Sequence, residues 1–336
     1  MKLRRFFFTA TTVALLFFSF ALSISAQTDQ RNPPMASQRF DQDKETLYAI
    51  FSENKSGASA EQQQRAYGAA KSFLQRYEGD NDFYVKEAKK FVADFDRKIT
   101  EYEVFTAYGS RNYAKAFELG RPLLKKEPAN FFVLSVLAEA GYDNALAGNA
   151  GLSDETIGYV RKAIELLEAG NVSKPDPFKS VDAAGGFLNL ARGWFLKDKS
   201  PVEAAAAFAR AVQPKSPYET DPLTHYRLGV AILKGEFAQL SAEYNEKFGA
   251  KGPSPEQQAM LERISQVGAR AIDAYARAVA LSDPKRSAAG VTNPQFTPEF
   301  RNKVLAQLTA LYKTFHNNSD AGLDDLIKSA LAKPQS

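Results

Sequence analysis

The chain has 336 residues, with 43 Lys and Arg against 39 Asp and Glu, two His and no Cys. Without Cys there is no disulfide, no thiol nucleophile, no thiolate-ligated metal and no lipid-modified N-terminal Cys, so the fold must rest mainly on buried apolar surface, as one elongated array or two compact domains. The net charge of +4 comes mostly from three basic residues at the N-terminus; the remainder is nearly balanced and carries no basic block, which disfavours a nucleic-acid partner.

Lys2, Arg4 and Arg5 precede a charge-free apolar run from Phe6 to Ile24, and Ser23-Ile24-Ser25-Ala26 offers small residues to a signal peptidase. Residues 1–26 therefore read as a secretory signal, with cleavage expected after Ala26. The run also approaches the length of a membrane span. Left uncleaved, residues 6–25 would anchor the chain in an inner membrane, although Thr9, Thr11, Thr12, Ser19 and Ser23 weigh against that. The expected location is periplasmic or secreted. Residues 27–40, with Pro33-Pro34 and no apolar period, read as a flexible linker.

From there the pattern is helical almost to the end, and the alternation expected of strands is missing. Residues 41–99 form an N-terminal helical region. Ser59-Ala60-Glu61-Gln62 marks one helix start, and Ser200-Pro201-Val202-Glu203, Ser254-Pro255-Glu256-Gln257 and Thr297-Pro298-Glu299 mark others. In each, a hydroxyl can accept from the open backbone N–H groups of the first turn. Stops are expected at Gly79, Gly109, Gly170 and Gly249, and at Pro128, Pro217 and Pro284. A long helix is expected from Asp82 to about Tyr108. Its stripe of Tyr84, Ala88, Phe91, Val92, Phe95, Ile99, Tyr102 and Phe105 reads as core.

Two segments repeat. Phe208-Ala209-Arg210-Ala211-Val212 and Tyr275-Ala276-Arg277-Ala278-Val279 lie 67 residues apart, and each is followed by a proline, Pro217 and Pro284. Val160-Arg161-Lys162-Ala163-Ile164 is a looser copy. The interval is close to twice the 34-residue tetratricopeptide period, and residues 100–285 resemble that family. Ala204, Phe208 and Ala211, and again Ala271, Tyr275 and Ala278, stand where the family's second helix carries small, aromatic and small residues. Asn112 to Ala116 resembles another second helix, with Gly120 in place of the aromatic, and Leu228-Gly229 resembles a first-helix pair. Spacings of 40, 48 and 67 between Leu123, Ala163, Ala211 and Ala278 depart from 34, and the last interval is expected to hide a poor repeat between Asp221 and Gly249.

The resemblance implies an all-α fold, a right-handed α-solenoid of antiparallel helix pairs, with residues 286–296 as a loop and residues 297–336 as a capping helix pair and tail. It also implies a concave groove holding a protein or peptide partner, with Asn130, Asn189, Lys197, Tyr226 and Lys234 facing it.

Signals of catalysis are sparse. His225 and His316 each have one carboxylate four residues away, Asp221 and Asp320, too few for a metal site, and each reads as an ordinary, partly exposed histidine. Asp320, Asp324 and Asp325 read as helix-start charge. Gly249-Ala250-Lys251-Gly252 lacks the spacing of a phosphate loop, and no Gly-x-Ser-x-Gly elbow occurs. Trp194 reads as packing between helices. The expectation is a non-catalytic, cofactor-free envelope scaffold that meets a membrane only through its N-terminal segment. Two other functions fit the fold class: a peptidoglycan-cleaving transglycosylase with a helical superhelix, and a glycan-binding envelope protein.

Overall fold

The structure is a computed structural model describing residues 36–249, 254–283 and 297–332. The signal segment, its cleavage position, Pro284 and the 286–296 loop lie outside the described residues. Among those described, every regular element is helical, so the chain is all-α. None of these helices is long and apolar enough to cross a membrane. The chain divides into two compact units between Tyr102 and Glu103.

The first unit holds α1 (Ala36–Asn54), α2 (Ala60–Tyr77) and most of α3 (Phe83–Gly109). Helix α1 begins inside the segment read as a linker, which therefore ends by residue 35 in the structure. Ser59 closes a full capping box with Gln62. Phe51, Ala66, Ala70, Phe73, Val85 and Ala88 form the core. The stripe expected along α3 is buried only in part: Tyr84 is 47% exposed, Tyr102 55% and Phe105 40%. At 27 residues, α3 outruns the 19 and 18 of α1 and α2 packed beside it. A helical period therefore marks a stripe correctly without showing how much of it is covered.

The second unit continues with α4 (Tyr113–Lys126), α5 (Phe131–Leu146), α6 (Ser153–Glu168), α7 (Val181–Leu196), α8 (Pro201–Ala211) and α9 (Pro222–Ile232). It ends with α10 (Ala238–Phe248), α11 (Pro255–Leu281), α12 (Pro298–Phe315) and α13 (Leu323–Ser329). Packing runs in sequence, α4 on α5, α5 on α6, α6 on α7, α7 on α8 and α8 on α9, and α5 also touches α7. Helix α5 is buried on almost every side; Phe132, Glu139 and the last turn are its partly open positions.

Close approach of the helices explains the repeated residues. A Cβ on Gly193 of α7 would lie 2.7 Å from the Phe208 ring of α8, and one on Gly229 of α9 would lie 2.7 Å from the Tyr275 ring of α11. Each aromatic of the two matching segments is thus seated on a glycine of the preceding partner helix, where no larger residue fits. In the looser copy, Val160 and Ala163 are fully buried, and Gly141 of α5 lies against Thr156 of α6.

Between Ala211 and Ala278 the described residues hold α9, α10 and most of α11. Helices α9 and α10 are joined through a π-helical turn, Leu233–Phe237, kinked at Gly235, and both run beside the 27-residue α11. At Gly235 a Cβ would meet the backbone of Val202 at 2.8 Å, so the kink sits where α8 presses closest. Ser254 and Thr297 cap α11 and α12 as expected. Ser200 does not cap α8: its hydroxyl donates to Glu203 instead of accepting from the backbone.

Candidate functional site

Side chains of α3, α5, α7 and α9 meet on one face of the second unit. In its last turns α5 carries Gly141-Tyr142-Asp143, and α7 carries Gly193-Trp194. Each glycine is turned toward the following helix, so the next residue points to a different side, 100° around. Tyr142 is buried and packs edge-on against Phe187 at 5.7 Å and Trp194 at 6.2 Å. Arg227 of α9 crosses to both: Nη1 donates to the Tyr142 hydroxyl at 2.9 Å, and the guanidinium lies 4.7 Å from the Trp194 ring centroid. Lys197 Nζ lies 4.2 Å from the same ring. A tryptophan with two cations over it is a strong cation–π arrangement, worth about 0.5–2 kcal/mol per cation according to exposure.

The acidic end lies toward α3. Glu139 and Asp143, one turn apart on α5, are both set into the protein. Burial first, and then the neighbouring Asp143, push the Glu139 carboxyl up to about 8. Burial pushes Asp143 up as well, opposed by the Tyr108 hydroxyl at 3.4 Å and by the charge of Arg111. Tyr108 is held far above the usual phenol range by burial and by these two carboxyls. Burial also raises Tyr142, with Arg227 pulling the other way. The face thus runs from a protonatable acid pair, across aromatic rings, to a cluster of cations.

The residues expected to share a groove are dispersed. Lys197 and Lys234 come together on Asp198, at 2.8 and 3.8 Å, beside Trp194. Asn130 caps α5, accepting from Val133 N–H at 3.1 Å. Asn189 is buried; its Nδ2 donates to Gly185 O at 2.9 Å while Oδ1 has no partner. It lines a separate cleft of about 240 Å³ with Glu168, Asp182, Arg210 and Ser216. Tyr226 stacks on Tyr275 at 5.8 Å and packs against Phe300.

His225 departs from the simple expectation, while His316 stays exposed. His225 is only 2% exposed, with Nε2 bonded to Glu219 O at 2.8 Å and Nδ1 unpartnered. Asp221 is spent capping α9. His316 stacks on Tyr312 at 3.7 Å. Among the described residues no three His, Asp or Glu side chains are grouped to hold a metal ion.

Sequence reasoning passed over Tyr108, Glu139, Tyr142, Asp143 and Arg227. One signal was available: Glu139 is the only charged residue between Phe131 and Tyr142, and a lone acid in so apolar a helix has to be accounted for. No protein-family model, no curated protein and no solved structure matches this chain.

Proposed function

We propose that the chain is an exported, non-catalytic binding scaffold of the cell envelope. Its second unit would be a right-handed α-solenoid of tetratricopeptide-like helix pairs that holds an extended segment of a partner protein. The observation that carries this reading is the line from Tyr108 and Asp143 through Tyr142 and Trp194 to Arg227. Every second helix contributes to it, and arrays of helix pairs bind through the surface that alternate helices line. Trp, Tyr and Arg are also the side chains that most often anchor a protein interface. The seating of Phe208 on Gly193 and of Tyr275 on Gly229 supports the repeat reading, and the export reading rests on the pattern of residues 1–26.

The test is capture of envelope proteins on immobilised chain, with W194A and R227A variants shown by circular dichroism to remain helical. Partners held by the wild type should be lost from both variants. Equal retention on all three would remove this face from the function.

A second reading is favoured by Glu139. A carboxyl kept protonated near neutral pH, beside another carboxyl one turn away, is what a glycosidic general acid requires. Release of soluble fragments from purified peptidoglycan by the wild type, and none by E139Q, would move the assignment to a cell-wall-cleaving enzyme.

A further inference from the structure

His225 lies near the start of α9 with its ring set into the protein, 2% exposed. Its Nε2 is 2.8 Å from Glu219 O. A carbonyl only accepts, so Nε2 carries the hydrogen and Nδ1 is the bare, accepting nitrogen. Nδ1 is buried and has no hydrogen-bond partner. The neutral ring thus ties α9 to the connection before it, and a proton taken up by the ring has to go to Nδ1, where no acceptor waits. The charged groups that act on the ring come from two sides. Helix α11 brings Asp273 and Arg277, held to each other at 2.8 Å. The head of α9 brings Asp221, whose Oδ2 accepts from the Thr224 N–H at 3.0 Å and from the Thr224 hydroxyl. The remaining elements packed on α9 are α8 and the π turn. On these, Glu203 and Arg210 meet Arg192 and Glu168, and Lys234 and Glu236 meet Asp198 and Arg270. The Glu219 carboxylate accepts from Lys215 N–H at 3.0 Å.

We propose that His225 is an acid-operated latch: neutral, it holds the head of α9 in place; protonated, it loosens α9 and draws Arg227 away from Tyr142 and Trp194. This goes beyond the binding reading and does not depend on it. A proton on Nδ1 places a charge and an unmet donor in a buried setting, which is costly. Arg277 adds repulsion. Asp273 is held by Arg277, which leaves Asp221 to answer the charge. If Asp221 turns to the ring it gives up Thr224, and a helix that loses its cap is weakened at its first turn. If it stays, the charge stays unmet. Both courses loosen the same end of α9. Arg227 follows His225 by two positions, about 200° around the helix, so one side of α9 carries the latch and the other the candidate face. The helix has 11 residues and meets α10 through the kink at Gly235, so no long straight rod steadies it. Burial first, and then Arg277, hold the ring's midpoint below the usual 6.5, with Glu219, Asp221 and Asp273 pulling the other way. As pH falls below 6.5 the folded chain binds fewer protons than the unfolded chain. The latch is therefore intact above 6.5 and weakens on the acid side, down to the folded midpoint.

Trp194 is the only tryptophan of the chain and lies against Arg227, so its fluorescence reports the latch directly. The test is an acid titration of the full chain. The imidazole signals of the two histidines are followed by NMR, with H316Q showing which belongs to His225. His225 should titrate below 6.5, the Trp194 emission should change with the same midpoint, and amide hydrogen exchange along α9 should quicken about tenfold across it. The shared midpoint separates His225 from the carboxyls of the face. Glutamine keeps an N–H for Glu219 O and takes up no proton, so H225Q, shown by circular dichroism to remain helical, should lose the emission change. H225N serves the same purpose if glutamine does not fit, and H316Q should keep the change. The latch is overturned if His225 titrates at or above 6.5. It is overturned equally if the ring protonates while Trp194 and α9 do not respond, or if the emission change survives H225Q or H225N. None of these outcomes touches capture of partners at neutral pH, so the binding reading stands or falls separately.

Discussion

Arg227 donates to the Tyr142 hydroxyl at 2.9 Å although 85 positions separate the two residues. The same guanidinium lies over Trp194, so one side chain of α9 ties α5 and α7 together at the centre of the candidate face. A hydrogen bond from a charged donor is worth about 1.5–3 kcal/mol net of the bonds to water that it replaces. In a double-mutant cycle of R227A and Y142F, followed by urea denaturation, we expect a coupling of about 1–2 kcal/mol. A coupling near zero would mean that the three helices hold their arrangement without this contact.

Gly193 and Gly229 should resist substitution by alanine. Alanine raises helix propensity by about 1 kcal/mol over glycine, so an open site gains from the change. At Gly193 and Gly229 the new Cβ would come within 2.7 Å of a buried ring, and overpacking of that kind costs about 1–3 kcal/mol. Gly158, exposed on α6, has nothing within 4 Å of an added Cβ. We expect G158A to raise Tm, and G193A and G229A to lower it. All three moving together would show that propensity, rather than the nesting of helices, governs these positions.

The helix starts separate what the sequence encodes locally from what it does not. Ser59, Ser254 and Thr297 cap as their spacing predicts, because the hydroxyl and the N–H it serves are three residues apart. Ser200 has the same pattern, yet its hydroxyl donates to Glu203. We expect S254A to cost about 1 kcal/mol in chemical denaturation and S200A clearly less. Equal losses would show that the two hydroxyls do the same work.

The same division runs through the fold and the site. All-α class, the long α3 and the close-packed Phe208 and Tyr275 were legible, since period and small-residue spacing are local. The kinked α9–α10 was not: a π turn at Gly235 depends on the neighbouring backbone of α8. The face formed by Tyr142, Trp194 and Arg227 depends on three helices far apart in sequence, and no spacing within one helix announces it. Lys197 and Lys234, named from the resemblance, meet on Asp198 beside Trp194. Asn189 lines another cleft and Tyr226 packs on Tyr275, placements that depend on neighbouring helices and that no local spacing announces.

Glu139 makes stability depend on pH between about 4.5 and 8. Its folded midpoint, about 8, lies above the 4.5 of an ordinary glutamate, so between those values the folded chain binds more protons than the unfolded chain. Stability then falls as pH rises through that window and levels off above about 8. Below pH 4.5 the contribution is fully present. Glutamine keeps the shape and cannot ionise, so E139Q should match the wild type near pH 5 and exceed it by roughly 2–4 kcal/mol at pH 9. Urea denaturation at several pH values reads this directly. The variant D143N should shift the wild-type decline to lower pH, because Asp143 is one cause of the raised midpoint. Were E139Q to lose stability between pH 5 and 9 as steeply as the wild type, the proton held on α5 would belong to another group. The acid pair would then lose its place in the site.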